Sequence, residues 1–490
     1  MKIQRLLLLC LLASLGAVLL LPSGAEARKK RRSLSSEEVL QQAIPQLIGS
    51  ALSSDRAWTN LLWLCDRIGH RLSGTPALDR AVAWGAERMQ AEGLSNVHTE
   101  EVLVPRWVRG EESLFQLAPL ERELPMLGLG GSVGTGEAGV DAEVVVVSSF
   151  DELAALDDAA VLGRVVLYDV PFTTYGETVQ YRVHGASRAA ERGAVAALVR
   201  SVTPESLQTP HTGAMHYDEE LPKIPTAAVT VEDAQALHRL TEAGQTVRVR
   251  LRMEARTEDD VPSANVVGEV RGRELPDEVV VLGCHLDSWD VGQGAQDDGA
   301  GCVMAMEAGR LIAALPTAPR RTVRVVLYTN EENGLRGGVG YAEQHSEETA
   351  SHAAVLEADI GAGTAFGWRV DVRVGADEAT LETNRAVALE RLEPLREALE
   401  PLGAGQFQPG GAGADVGPMV RKGVAGLGLD MDRSGYWPIH HTHADTVDKI
   451  DPLTLRRNTA VFAVTAFWLA EIEGRIVDPG QPVYVPPKDD

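Results

Sequence analysis

The chain has 490 residues, 44% of them hydrophobic, and a formal charge of −24 at pH 7. Length and apolar content predict a large buried core divided over more than one domain. A surface this acidic repels polyanions, which excludes nucleic acid and anionic membrane as partners and predicts a freely soluble protein.

The first segment in chain order reads as a targeting signal. Lys2 and Arg5 precede an apolar run from Leu6 to Leu21, followed by Pro22 and the small-residue stretch Ala25-Glu26-Ala27. That order predicts a signal peptide over residues 1–27, and with it a secreted or periplasmic protein with no membrane anchor after cleavage. The run is short for a membrane span, and no later stretch rivals it. The basic cluster from Arg28 to Arg32 reads as a disordered leader. Beyond the signal stand Cys65, Cys284 and Cys302, an odd and sparse set that predicts no disulfide framework and no Cys-x-x-Cys site.

From Ser36 to Gly93 the apolar spacing predicts helices, as in "AWTNLLWLCDRIGHRL" and "ALDRAVAWGAERMQAEG". From Val97 to Arg256 short β-rich runs take over, among them "DAEVVVVSS", "GRVVLYDV" and "TVRVRLRM", with two helical stretches between them. "TEDDVPSAN" reads as the linker back. Strands then alternate with helices: strand Glu278–Leu282, helix Gly299–Ala314, strand Thr322–Thr329, strand Ala353–Ala358, a long helix from Asp377 to Leu399, a strand near Gly426–Leu429, and a last helix from Pro452 to Glu473. Such alternation predicts an α/β fold, a mainly parallel sheet sandwiched by helices, with a β-rich insert. Residues 479–490 read as a flexible tail. Ligands of such sheets gather at the carboxyl ends of the strands.

Those ends are where the chain concentrates its acids. "GCHLDSWDVGQGAQDDGAG" places His285, Asp287 and Asp297 after one strand, Glu331 and Glu332 follow the next, and Asp359 ends a third. "HHTHADT" brings His440, His441 and His443 before the last helix. Singly, each has an ordinary reading: a helix cap for Asp297 or Asp298, a solvated turn for the glutamates, a hydrogen-bonded core residue for His285. Together they do not, because carboxylates converging without a cation repel one another strongly. An oxygen-rich set with histidine and no thiolate suits Zn²⁺, with Co²⁺ or Mn²⁺ as substitutes, in a hydrolytic site. Adjacent glutamates point opposite ways in extended chain, so one can bind metal while the other faces water.

His-x-Asp after a strand, the "DDG" loop, the "EE" pair, "EAD" and "HTHADT" together resemble the co-catalytic di-zinc aminopeptidase and glutamate carboxypeptidase family. The resemblance implies a protease-associated domain inserted at 112–257 between two parts of a peptidase domain, 28–111 and 258–478. It implies two Zn²⁺ per chain, with His285 and Glu332 on one, Asp359 and His441 on the other, and Asp297 bridging. Glu331 would be the general base, Asp287 would orient the His285 ring, and Tyr436 would stabilise the tetrahedral oxygen. A cis peptide at Asp297–Asp298 and a homodimer are implied as well. The activity expected is hydrolysis of dipeptides or terminal residues of short peptides by metal-activated water. The rival readings are a catalytically silent receptor on the same scaffold and a deacylating or aminoacyl-cyclising enzyme.

Overall fold

The structure is a computed structural model that describes residues 34–478; the expected signal peptide and tail lie outside the described residues. Two eight-stranded sheets organise it. The first runs Ser95–Val108, Arg256–Val270, Arg321–Tyr328, Leu275–His285, His352–Glu357, Gly426–Met431, Ala365–Asp371, Gln406–Pro409. Four of its seven neighbouring pairs are parallel, the central ones among them, and three are antiparallel, so a mainly parallel centre carries antiparallel strands toward both edges. The near-continuous apolar runs of the central strands follow from burial on both faces. Val280, Leu282 and Cys284 enter a core shared with helices Ser36–Ser53, Ala300–Ala313 and Pro452–Glu471. Val279 and Val281 face the other way, toward helices Arg336–Gln344 and Gly417–Arg421. That alternation is the two-residue period of an extended chain.

Two expected elements change. "TEDDVPSAN" is not a linker but part of strand Arg256–Val270, which pairs antiparallel with Ser95–Val108 along its length. Pro262 is tolerated because Arg321–Tyr328 joins the other side of this strand only from Val266 onward; a proline without an N–H fits where one side is unpaired. The long helix expected from Asp377 to Leu399 is two, Glu378–Arg391 and Glu393–Leu399, and Pro394 begins the second.

The second sheet is made by residues 112–253 and hangs from that two-stranded ribbon. Four of its strands, Val140–Val147, Val165–Tyr168, Ala196–Arg200 and Thr226–Val229, are parallel neighbours. Helices Tyr175–Glu191 and Val231–Glu242 cover opposite faces. Trp289, from the loop after His285, is buried in this second core. Gly130 makes room for it: a Cβ there would lie 2.0 Å from the Trp289 ring. Among the described residues no helix is long and apolar enough to cross a membrane.

Candidate metal centre

The parallel register sets the first half of the site. Gly283 lies opposite Glu357, so the residues two further on, His285 and Asp359, leave neighbouring strands side by side. Glu331 and Glu332 come from the strand on the other flank, where His285 lies opposite Tyr328. Asp297 sits in the kinked turn Ala295–Gly299, and its peptide bond to Asp298 is cis. His441 arrives from a distant loop with a positive φ of 61°.

These side chains form two groups about one carboxylate. His285 Nε2 lies 3.1 Å from Asp297 Oδ1 and 3.1 Å from Asp359 Oδ1. His441 Nε2 lies 3.2 Å from Asp297 Oδ2 and 3.0 Å from Glu332 Oε2. Each oxygen of Asp297 therefore serves one group. The resemblance implied His285 with Glu332 and Asp359 with His441; in the metal-free arrangement Asp359 approaches His285 and Glu332 approaches His441.

Both rings are fixed from behind by main-chain carbonyls. His285 Nδ1 lies 3.0 Å from Asp287 O, and His441 Nδ1 lies 3.3 Å from Thr212 O. Donation from Nδ1 turns Nε2 toward the acids, the orientation a metal-ligating imidazole needs. Asp287 thus meets the His285 ring through its carbonyl; its carboxylate, 3.8 Å from the ring, lies beyond hydrogen-bond range. Instead it accepts the N–H groups of Glu331 and Glu332 at 3.0 and 3.3 Å and the Ser73 hydroxyl at 3.2 Å.

Several supporting residues were not singled out from the sequence. Asp445 accepts the N–H groups of Ala295, Gln296 and Asp297 at 3.1, 2.7 and 3.2 Å and so holds the turn that carries Asp297. The buried Arg71 guanidinium donates to the carbonyls of Gln293 and Gly294 at 2.8 and 2.9 Å. Glu357 accepts from the main chain at Ala414 and Val416, and Asp415 is buried with neither oxygen hydrogen-bonded. Asp445 stands inside the "HTHADT" motif and Arg71 inside "GHRLSGT", which was the available signal.

Of the other candidates, His440 stacks on His441 with centroids 3.5 Å apart and reaches to 3.7 Å from Asp297 Oδ2. Tyr436 is buried with its ring 5.0 Å from that of His440, while His443 is exposed. The second sheet adds an aromatic wall: Tyr175 stacks on Trp437 at 5.0 Å and stands edge-on to His440 at 5.4 Å.

The electrostatics show what the cluster demands. Burial alone would push both imidazoles down, but the facing carboxylates outweigh it. Asp359 and Asp297 hold His285 well above the usual histidine range, and Glu332 and Asp297 raise His441 to about 9. Burial and then Asp297 raise Glu332 to about 7, and burial and then Asp359 push Glu331 well above the carboxylate range. Without a cation, then, the cluster collects protons on both rings and on its glutamates. Asp297 Oδ2 is buried and makes no hydrogen bond, its His441 contact being charge against charge. A donor set of carboxylates and imidazoles with an orphaned buried oxygen fits divalent metal.

The model of peptidase family M28 matches residues 265–466. Over 446 residues the chain is 40% identical to carboxypeptidase Q of Mus musculus, an alignment covering 91% of this chain and 92% of that protein. The chain belongs to peptidase family M28. It is a metallopeptidase, and the motifs "GHRLSGT", "VPRWVRGEES", "HTGAMHY" and "PKIPTA" resemble carboxypeptidase Q within the family. The crystal structure of a peptidase M28 precursor from Shewanella amazonensis matches this M28 chain with a TM-score of 0.85 at 34% identity, over 92% of this chain and 100% of that one. BSAP, a zinc aminopeptidase from Bacillus subtilis, shares the fold at a TM-score of 0.63 and 21% identity, over 87% and 97% of the two chains.

Proposed function

We propose that this M28 protein is an exported di-zinc exopeptidase that hydrolyses dipeptides or the terminal residues of short peptides. The observation that carries the reading is the doubled arrangement in which two imidazoles and three carboxylates meet, with Asp297 offering one oxygen to each half. On this reading His285 and Asp359 would hold one ion, Glu332 and His441 the other, and Asp297 would serve both. Zinc, when bound, supplies a Lewis acid for the scissile carbonyl and lowers the pKa of water.

The chain's own groups do the rest. Glu331 follows the same strand as Glu332 and is the group free to take a proton from the attacking water and return it to the leaving amine. Asp287 holds the N–H groups of both glutamates and so fixes their divergence. Tyr436 is positioned near His440 to donate to the tetrahedral oxygen. The 112–257 segment is a protease-associated domain whose Tyr175 wall helps close the cleft, which suits short substrates. The signal-like leader supports export, and the likeness to carboxypeptidase Q supports a homodimer.

Elemental analysis together with dipeptide hydrolysis tests this reading. Two zinc ions per active chain and release of free amino acids are expected. A fully active preparation with one ion per chain, or zinc-loaded protein that turns over no dipeptide, overturns it.

A further inference from the structure

Two thiols stand directly behind the centre, and the reading above leaves them without a role. Cys284 is the penultimate residue of strand Leu275–His285, and Cys302 is near the start of helix Ala300–Ala313. Both are fully buried, and their Sγ atoms lie 2.7 Å apart. That separation is well inside contact distance and only a small movement from the 2.03–2.05 Å of a covalent bond. Cys65, the third thiol of the described residues, is also buried but makes no such contact.

We propose that Cys284 and Cys302 form a disulfide that joins the strand end bearing His285 to the helix following the Asp297–Asp298 turn. It is a single bond, which the sparse cysteine count does not exclude. Its loop runs from 284 to 302 and contains His285, Asp287 and Asp297. Closing that loop covalently restricts how far His285 and Asp297 separate when the chain is unfolded or the centre is empty. The two thiols give up two protons and two electrons as the S–S bond forms. The electrons pass to a disulfide donor, oxidised glutathione or a dithiol–disulfide oxidoreductase, whose own S–S bond becomes two thiols. Because both sulfurs are enclosed in the folded core, the exchange takes place before the helix docks. The oxidising compartments reached by exported proteins provide such donors.

A rival occupant is a metal ion, since Cys284, Cys302 and Asp298 offer ligand atoms all within 4.8 Å of one another. Asp298 argues against it. Its two oxygens already accept the N–H groups of His285 at 3.2 Å and Gly301 at 3.1 Å, which ties the carboxylate to the backbone. In the reduced form the Cys302 thiol donates to the His285 carbonyl at 3.0 Å, a hydrogen bond that closing the S–S bond gives up.

The test uses the full chain, refolded in a glutathione redox buffer, then denatured with chelator, alkylated and mapped by mass spectrometry. The expected result is a cross-linked Cys284–Cys302 peptide pair lighter by two hydrogens than its reduced form, with Cys65 alkylated. Cys284→Ser is expected to leave Cys302 alkylatable, and Cys302→Ser to leave Cys284 alkylatable, while Cys65→Ala leaves the cross-link in place. Full alkylation of both thiols after oxidative refolding overturns the proposal, as does a bond from either thiol to Cys65. Protection that disappears with chelator and carries no loss of hydrogen also overturns it, in favour of a bound metal. None of these readouts depends on peptide hydrolysis, so they stand apart from the functional reading.

Discussion

The second sheet and the rim of the first treat buried acids in opposite ways. In the second, each deeply buried aspartate has a cationic or hydroxyl partner: Asp169 accepts from Arg200 at 3.0 Å and His238 at 2.8 Å, and Asp233 from Arg122 at 2.6 Å and Thr230 at 2.8 Å. At the rim of the first sheet, no Lys or Arg among the described residues forms an ion pair with Asp287, Asp297, Glu331, Glu332, Asp359, Asp415 or Asp445. An unpaired buried charge costs several kcal/mol, so such a rim persists only by taking up protons or cations. The first kind of burial holds a fold together; the second marks a site that waits for charge from outside.

The strongest way to break this contrast is to change the rim. Asp297→Ala is expected to lose both ions and reduce hydrolysis to background, and added zinc should restore only chelated wild type. Glu331→Gln should keep both ions while kcat falls by about 10²–10⁴-fold, whereas Glu332→Gln should lose metal. Metal content and turnover measured on the same preparations decide it, and the opposite pattern exchanges the two glutamates' roles.

The rim should also govern how the metal-free protein responds to pH. Glu332, Asp445 and Glu357 are raised to about 7, 7 and 8, in each case by burial first, with Asp297 or Asp359 adding to it. Their unfolded counterparts ionise near 4, so their contribution is fully present below that and is lost as pH rises through the folded values. His441, raised to about 9, acts in the same direction above the unfolded histidine value. The Tm of chelated protein should therefore fall steadily from pH 5 to 9, and zinc should flatten that slope. A chelated protein whose Tm rises over this range would falsify the charge assignment.

Smaller effects sharpen the comparison. Asp445→Asn keeps the shape but weakens the hold on the Asp297 turn, and should lower metal affinity by about 10–100-fold, with kcat near wild type at saturating zinc. Arg200→Met removes the arginine partner of buried Asp169 and leaves it only His238. A loss of about 3–5 kcal/mol in denaturant unfolding is expected, with metal content and room-temperature turnover unchanged.

The acids at the strand ends were legible because a parallel sheet brings its carboxyl ends to one rim whatever the loops do. His285, Glu331, Glu332 and Asp359 need no knowledge of distant contacts to be placed there. What was not legible depends on partners far away in sequence. Asp445 looks like a polar loop residue until its three N–H donors, some 150 positions earlier, are seen. The 257–265 stretch looks like a linker because its acids and Pro262 suit solvent; it becomes a strand only through pairing with 95–108. The approach of Asp359 to His285 likewise needed the Gly283–Glu357 register, which no local pattern contains.

Thr212 belongs to the second sheet's segment of chain, yet its N–H donates to the His441 carbonyl at 3.0 Å while its own carbonyl faces the His441 ring. Both contacts are main-chain atoms, so no side-chain substitution at position 212 removes them directly; only a change in the path of the backbone does. The left-handed backbone of His441 thus leans on the segment that builds the second sheet, whereas His285, Asp297, Glu332 and Asp359 belong to the part of the chain that builds the first. A chain whose insert has come undone would still align His285 with Asp359 through strand register, but His441 would lose its aim. Damage to the insert, however remote from the chemistry, would then be reported as a half-assembled centre.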